Sequence, residues 1–588
     1  MKINFQYKLI LTIILFGIQF SFSQKKEENI GTEVVNVVKP YTPTISDAFK
    51  VKETPSLEDE DNTKKETIKY SIFSFPVAST FAPAKGKAAG VDKSKEEKLF
   101  KNYFTAGIGN YFTTFAELYV TENVGESDYI AGMVKHLASN GGIKNTPIDD
   151  KFLNSSIDLT YGSKQKEYSW NSDLGFQIQK YYWYGLPENY DSTLLPNEKA
   201  DVINRLNDTG TQTYKNFYLG GRIHFTESIF NEISLKYDHF WDGYNSLENR
   251  FYVKPTFQFD VFEKTIKTEI IADYIGGNFR QGYNSILPIK YGYTNLGIHP
   301  SFAMKEEEWS FNIGASLFYS VDSENDSHQL FFYPQVTASL KVVGDLMVFY
   351  LGAEGDLHQN SFRDFTNENP FLSPTSGIAP TDRQFDIYAG LKGKLSNYIS
   401  YNVRGSIINE KYKALFVSND YHETILVQEP YKYGNSFGII YDNMRTFGLF
   451  GELKADFSKN ISFGINGNFN KYSTSNQQEA WNLPAIKFGA NLDVNITQKW
   501  YAGADVFFVG ERKDKQTNLD IMTLIATNNT KTLNSYFDAN AHVGFKYSER
   551  LTAFLKLNNI ANQSYEKWLH YPVQSFQVML GASYKFDF

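Results

Sequence analysis

There is no cysteine anywhere in this chain of 588 residues. That absence removes disulfide staples, thiol catalysis, Cys-ligated metals and a lipid anchor on a Cys behind a leader, all at once. Metal-ligand spacing is missing too. The nine His stand singly and none falls in an H-E-x-x-H pattern, so no metal site is expected. Gly107-Ile108-Gly109 has no third Gly and no following helix to make a phosphate loop. Asp322-Ser323-Glu324-Asn325-Asp326 lacks the Gly and closing Glu of an EF-hand and reads as a solvated loop. With no nucleophile motif either, the expectation is a non-enzyme without cofactor. Net charge is −8, and residues 24–98 are balanced, so the acidic excess rests on the remainder. That disfavours nucleic acid and other polyanions as partners.

Long apolar runs are also lacking. The stretch from Leu9 to Phe20 follows Lys2 and Lys8 and leads to Ser21-Phe22-Ser23. At about twelve residues it is too short for a spanning helix, which needs about twenty, and it has the layout of a secretory signal peptide over 1–23. No helical span follows it.

What the chain has in abundance is aromatic residues, 40 Tyr and 49 Phe, although its mean hydropathy is only −0.40. A sheet with one apolar and one wet face reconciles the two. The C-terminus displays such a sheet most plainly. Phe576, Val578, Leu580, Ala582, Tyr584, Phe586 and Phe588 alternate with Ser575, Gln577, Gly581, Ser583, Lys585 and Asp587, Met579 alone breaking the pattern. A period of two over about thirteen residues is a strand, and a long one. The same alternation runs through Ile461–Asn470, Ile486–Ile496, Trp500–Phe508 and Phe537–Tyr547.

Short turns at Thr226-Glu227-Ser228, Phe262-Glu263-Lys264, Val343-Gly344-Asp345, Leu395-Ser396-Asn397, Ser458-Lys459-Asn460 and Ser548-Glu549-Arg550 alternate with longer connections near 139–151, 185–211, 359–382, 412–445, 474–484 and 513–532. Strands of about ten residues joined in that way predict an all-β, transmembrane antiparallel up-and-down β-barrel of about 22 strands over 101–588. A soluble propeller or sandwich would use shorter strands. Because unpaired backbone groups cost several kcal/mol in lipid, the last strand is expected to pair with the first. Tyr181-Tyr182-Trp183-Tyr184, at a strand end, is read as part of an interfacial aromatic girdle rather than a sugar platform. His224 and His542 fall on polar faces and are expected to line the wet interior.

The segment LKLNNIANQSYEKWLHYPVQSFQVMLGASYKF resembles the closing strands of TonB-dependent receptors, through Asn558, Asn559, Tyr565, Tyr571, Pro572 and Lys585-Phe586. It departs from them at Val573-Gln574-Ser575, where that family usually has a Pro-Gly-Arg-type turn. NYFTAGIGNYFTTFAELYV, followed by VKHLASNGG, is similar to the opening strands of receptor-like barrels without a plug. The resemblance implies a barrel of 22 strands in the outer membrane of a Gram-negative bacterium. It also implies that the barrel-assembly machinery reads the C-terminal strand, with Phe576, Val578, Leu580, Tyr584, Phe586 and Phe588 as its signal.

Residues 24–100 form a short extended N-terminal arm or linker in this reading. Their charged stretch VKETPSLEDEDNTKKETIK and their FAPAKGKAAGVDKSKEEK stretch cannot bury a core, so no folded plug is expected. Within the arm, TEVVNVVKPYTPTI resembles a TonB box, with Glu33, Val34, Val35, Val37 and Val38 as the candidate partner strand. Such a segment adds a strand to a TonB-like periplasmic protein by main-chain hydrogen bonds. The other reading is an arm that docks on, or threads, its own barrel. The expected function is transport or channel activity for an unidentified solute. The alternative is a non-transporting subunit of a larger outer-membrane complex. Expected partners are outer-membrane lipid and a TonB-like protein, a surface lipoprotein or another outer-membrane subunit. A plug-less barrel this wide needs a stopper, and the arm, the loops and a second subunit are the candidates.

Overall fold

The computed structural model describes residues 99–588 apart from 188–195, 262–263, 422–428, 459 and 521–524. The expectations for 1–23 and for the arm up to residue 98, including Glu33, Val34, Val35, Val37 and Val38, lie outside the described residues.

From Asn102 onward the chain runs up and down through a 22-stranded antiparallel sheet. It closes on itself. The first strand, Asn102–Gly109, pairs with the last, Gln577–Phe586, in the register Asn102↔Phe586 through Gly109↔Met579. The C-terminal alternation is therefore half of a seam, and the sheet has no free edge for lipid to meet. Gly581 is needed there for a close approach: a Cβ at that position would sit 2.5 Å from the Ala106 carbonyl oxygen and 2.3 Å from the Phe554 ring.

Alternation sorts the side chains by face. Leu159, Leu174, Leu219, Leu235, Phe251 and Ile270 point outward and are exposed. Their neighbours Asp158, Asp173, Tyr218, Lys236, Arg250 and Glu269 take the opposite face. An exposed apolar outer surface around a polar interior is the arrangement of a membrane-spanning barrel.

Strand lengths exceed the expected ten residues at the long-loop end. Ile399–Ser418 has 20 residues and its partner Phe437–Ser458 has 22. At about 3.3 Å per residue the longer spans on the order of 70 Å, far more than an apolar band ~25 Å tall requires. The surplus lies at the long-loop end of the two strands. It occupies much of the stretch 412–445 read as loop, because a bulge between Glu410 and Lys413 breaks the alternation while pairing resumes at Lys413↔Asp442. Tyr412, inside that bulge, has φ 51°.

Candidate functional site: a capped mouth above a polar lumen

At the long-loop end, inward-facing Tyr214, Phe240, Ile275, Phe279 and Tyr291 form an apolar ring on the barrel wall. The same core contains Phe362, Phe365 and Leu372 from the 359–380 connection, and Trp568, Leu569 and Tyr571 from the 559–576 connection. Loops that belong to opposite parts of the sequence thus meet in one buried core inside the mouth. Tyr571 stacks on Phe371 with ring centroids 3.7 Å apart, and Tyr184 meets Tyr571 edge-on at 4.7 Å.

Polar stitches run through this cap. The Tyr571 hydroxyl donates to the Asn435 carbonyl, and Asn435 Nδ2 donates to the Trp183 carbonyl at 2.9 Å. Trp183 Nε1 donates to the Phe371 carbonyl at 3.2 Å, and the Tyr184 hydroxyl donates to the Pro572 carbonyl at 3.0 Å. Buried polar groups are thereby paired across four connections, which avoids a penalty of about 1–3 kcal/mol for each group left unmet. Trp183 is only 1% exposed. The girdle reading of Tyr181-Tyr182-Trp183-Tyr184 is corrected for three of the four: Tyr181, Trp183 and Tyr184 pack into the cap, where their rings meet Phe371 and Tyr431 of the loops.

A short helix, Phe362–Glu368, pins the cap to the wall. Ser361 caps its N-terminus by accepting from Asp364 N at 3.0 Å. Glu248, buried on the wall, accepts from the backbone N–H of Phe362 (2.7 Å) and of Arg363 (3.2 Å), and from the Tyr291 hydroxyl (2.6 Å). A carboxylate placed against the free N–H groups of a first turn is favourable for both. Arg250 reaches the helix as well, gripping Asp273 with two bonds (2.9 and 2.7 Å) while lying 3.6 Å from Asp364. The only sequence signal for this anchor is Ser361-x-x-Asp364, a helix-start spacing inside a stretch read as loop. Nothing local marks Glu248 as its partner.

A second anchor comes from the hairpin Arg512–Asp520 with Ile525–Leu533, which stands outside the barrel sheet. Arg512 donates to the carbonyls of Glu566 (2.6 Å) and Lys567. Asp514 is 0% exposed and accepts from Ser418 N (3.0 Å) and Lys515 N (2.7 Å). Burial outweighs those bonds and pushes its carboxyl up to about 6. Burial likewise lowers the ammonium of Lys567.

Beneath the cap the lumen is wet. A recess of about 760 Å³ is bordered by Asp158, Asp173, Tyr218, Gly220, Lys236 and Arg363, and another of about 350 Å³ by His358, Glu368, Arg383, Glu410, Lys413 and Trp568. Many of the charges are paired along the wall, as in Arg404–Asp386 (2.6 Å) and Arg383–Asp356 (2.6 Å). His224 and His542 do face this interior, within 4.0 Å of Glu232 and 3.9 Å of Asp493. Asp322 folds the turn 323–326 by accepting from the backbone N–H of Glu324 and Asn325, both at 3.1 Å.

The C-terminal residues lie away from the cap. Phe576 precedes the last strand, while Val578, Leu580, Tyr584 and Phe586 lie in or along the seam. Leu580 and Tyr584 are exposed on the outer face. Tyr584, Phe586 and Phe588 make an aromatic row with centroids 6.1 and 5.4 Å apart, and Phe588 is 83% exposed.

No family model and no curated protein matches the sequence. Solved structures do. The ferric-catecholate import receptor Fiu from E. coli K12 superposes with a TM-score of 0.59 over 84% of this chain and 83% of its own, at 10% identity. The ferripyoverdine receptor of Pseudomonas aeruginosa gives a TM-score of 0.59 over 84% of this chain and 73% of its own, at 10% identity. The copper transporter OprC gives a TM-score of 0.59 over 84% of each chain, again at 10% identity. At such identity the likeness is one of fold: this chain has the 22-stranded barrel of TonB-dependent receptors.

Proposed function

We propose that this protein is an outer-membrane transport barrel whose own loops form a gate at the outer mouth. The carrying observation is the buried aromatic core that spans the mouth, anchored by Glu248 and Tyr571, above a lumen lined by polar and charged groups. A barrel made only as a structural post has no need for a wet interior under a stitched lid. The neighbours support the reading, since they are described as an import receptor, a siderophore receptor and a metal transporter. Long loops face outward in bacterial barrels, so the cap stands on the side from which a solute arrives.

In this account the lipid-facing aromatics hold the barrel in the outer membrane, and the C-terminal row Tyr584, Phe586 and Phe588 is the handle for barrel assembly. The segment Glu33–Val38 is offered to a TonB-like periplasmic protein, whose pull supplies the work of opening. Residues 24–100 act as a tether rather than a folded plug.

Liposome swelling tests the gate. Vesicles containing intact protein are expected to admit small sugars and amino acids slowly, and vesicles containing the cap-loosened variant Glu248→Ala to swell several-fold faster. Equal, low rates for both proteins, each shown to be folded by resistance to unfolding in cold detergent, would remove the gate from the account.

A further inference from the structure

We propose that the larger recess under the cap is a binding site for a short peptide with free ends. The inference deepens the transport reading, and rests on it for its meaning, by naming a class of solute.

The site is written in the register of the sheet. Asp173 pairs with Gly220 and Gly220 pairs with Lys236, so an acid, a glycine and a base stand in one row across three adjacent strands on the lumenal face. Gly220 places no side chain between the two charges. Strands lie about 4.8 Å apart, so the row separates the two charged positions by about 10 Å. A peptide extends at most about 3.3–3.6 Å per residue, so three residues match that separation between ammonium and carboxylate.

The two sides of the recess differ in how their charges are met. Asp173 accepts from Thr160 Oγ1 and Asn171 Nδ2, both at 2.6 Å, and Asp158 accepts from the Tyr218 hydroxyl at 2.6 Å and from Ser156 Oγ at 3.4 Å. Neither carboxylate has a basic partner among the described residues. Both are thus held in place by neutral donors, and the further cation bordering the recess, Arg222, lies 3.6 Å from Glu232, which leaves the two carboxylates to an incoming ammonium group.

On the other side, Lys236 and Arg363 share one carboxylate, Asp238, at 3.1 and 3.6 Å. Arg363 also lies 3.9 Å from Asp364, and its Nε is buried with no acceptor. Asn216, 3% exposed and bordering the same recess, donates its Nδ2 to the same Asp238 at 3.4 Å. A carboxylate arriving at Lys236 and Arg363 competes with Asp238 for the arginine. Arg363 belongs to the helix that pins the cap, so occupancy of the recess bears directly on the lid.

Calorimetric titration of the purified full-length protein with tri-alanine tests the assignment. The control is tri-alanine acetylated and amidated at its ends, and both titrations are repeated on Glu248→Ala so that a closed lid cannot hide the recess. The free peptide is expected to bind, and the blocked peptide to bind at least tenfold more weakly. Asp173→Asn keeps an acceptor for Thr160 yet removes the charge, and should weaken the free peptide at least fivefold. Gly220→Leu should abolish binding by filling the gap. A Cβ there meets nothing nearer than 3.7 Å, and the folded band on unheated gels checks that the leucine variant still forms the barrel.

Equal binding of free and blocked peptide, insensitivity to both substitutions, or no binding by either protein at millimolar peptide would overturn the proposal. Failure here is distinguishable from failure of the transport reading. A barrel that swells vesicles when its cap is loosened, yet ignores tri-alanine, retains its gate and loses only this ligand.

Discussion

Glu248 Oε2 lies 2.7 Å from the backbone nitrogen of Phe362, so a residue of the barrel wall closes the first turn of a helix in the lid. The contact joins positions more than a hundred residues apart. Removing the carboxylate strands the N–H groups of Phe362 and Arg363 and the Tyr291 hydroxyl together. Glu248→Ala is therefore expected to weaken the docking of the lid by about 1–3 kcal/mol. Amide exchange of residues 361–368 is the readout, with protection falling while that of the seam Asn102–Gly109 holds. Glu248→Gln keeps one acceptor and should lie between the two.

Acid should tighten the second anchor. The Asp514 carboxyl is raised to about 6 by burial, from an ordinary value near 3.8. The folded state therefore binds the proton more firmly than the unfolded one across that window. Stability falls as pH rises from about 4 to about 6, and is regained as pH falls. The full effect is at most about 3 kcal/mol. Asp514→Asn, which retains an acceptor for Ser418 N and Lys515 N, should raise the protection of the 512–533 hairpin at pH 7 and flatten its dependence between pH 4 and 6. An unchanged pH profile in the Asn variant would show that another group is responsible.

The aromatic row at the C-terminus should matter for assembly more than for stability. Phe588 is 83% exposed and lies beyond the last strand, so its loss removes little packing from the barrel. Deleting Phe588, or making Phe586→Ala with it, is expected to lower the amount of folded protein in outer membranes several-fold. Refolding of the purified variant into detergent should proceed normally. The shift of the folded band on unheated gels reports both.

Closure can be tested at Gly581. Gly581→Val drives a branched side chain against the Ala106 carbonyl and the Phe554 ring. The seam must then splay, and its unpaired backbone groups face lipid at several kcal/mol each. The expected result is a barrel that unfolds at a much lower temperature in the same gel assay, or none at all. Ser583→Val, on the same strand, removes only the Thr105–Ser583 side-chain bond of 2.9 Å and should cost about 1 kcal/mol.

The barrel was legible because its signals are local. Alternation through Leu580, Tyr584 and Phe586 marks a strand by itself, and turns such as Val343-Gly344-Asp345 mark a reversal with Gly344 at φ +46°. The cap was not, since Tyr571 meets Phe371 across two hundred residues and no periodicity links them. Tyr181 to Tyr184 misled because an interfacial girdle and a buried lid draw on the same residues. The recess was half legible. The tight turn between Phe225 and Phe230 sets Gly220 against Lys236 by counting. Asp173 reaches Gly220 only across a connection that carries the helix Pro196–Thr209, whose length hides the register.

Conductance across planar bilayers tests most directly whether the loops close the mouth. Three proteins are compared: the intact chain, the chain lacking residues 24–98, and the intact chain carrying Glu248→Ala with Tyr571→Ala. Low conductance is expected for the first two and frequent large openings for the third. Large, steady conductance from the arm deletion alone, with the cap residues untouched, would contradict closure by the loops and make the N-terminal arm the stopper.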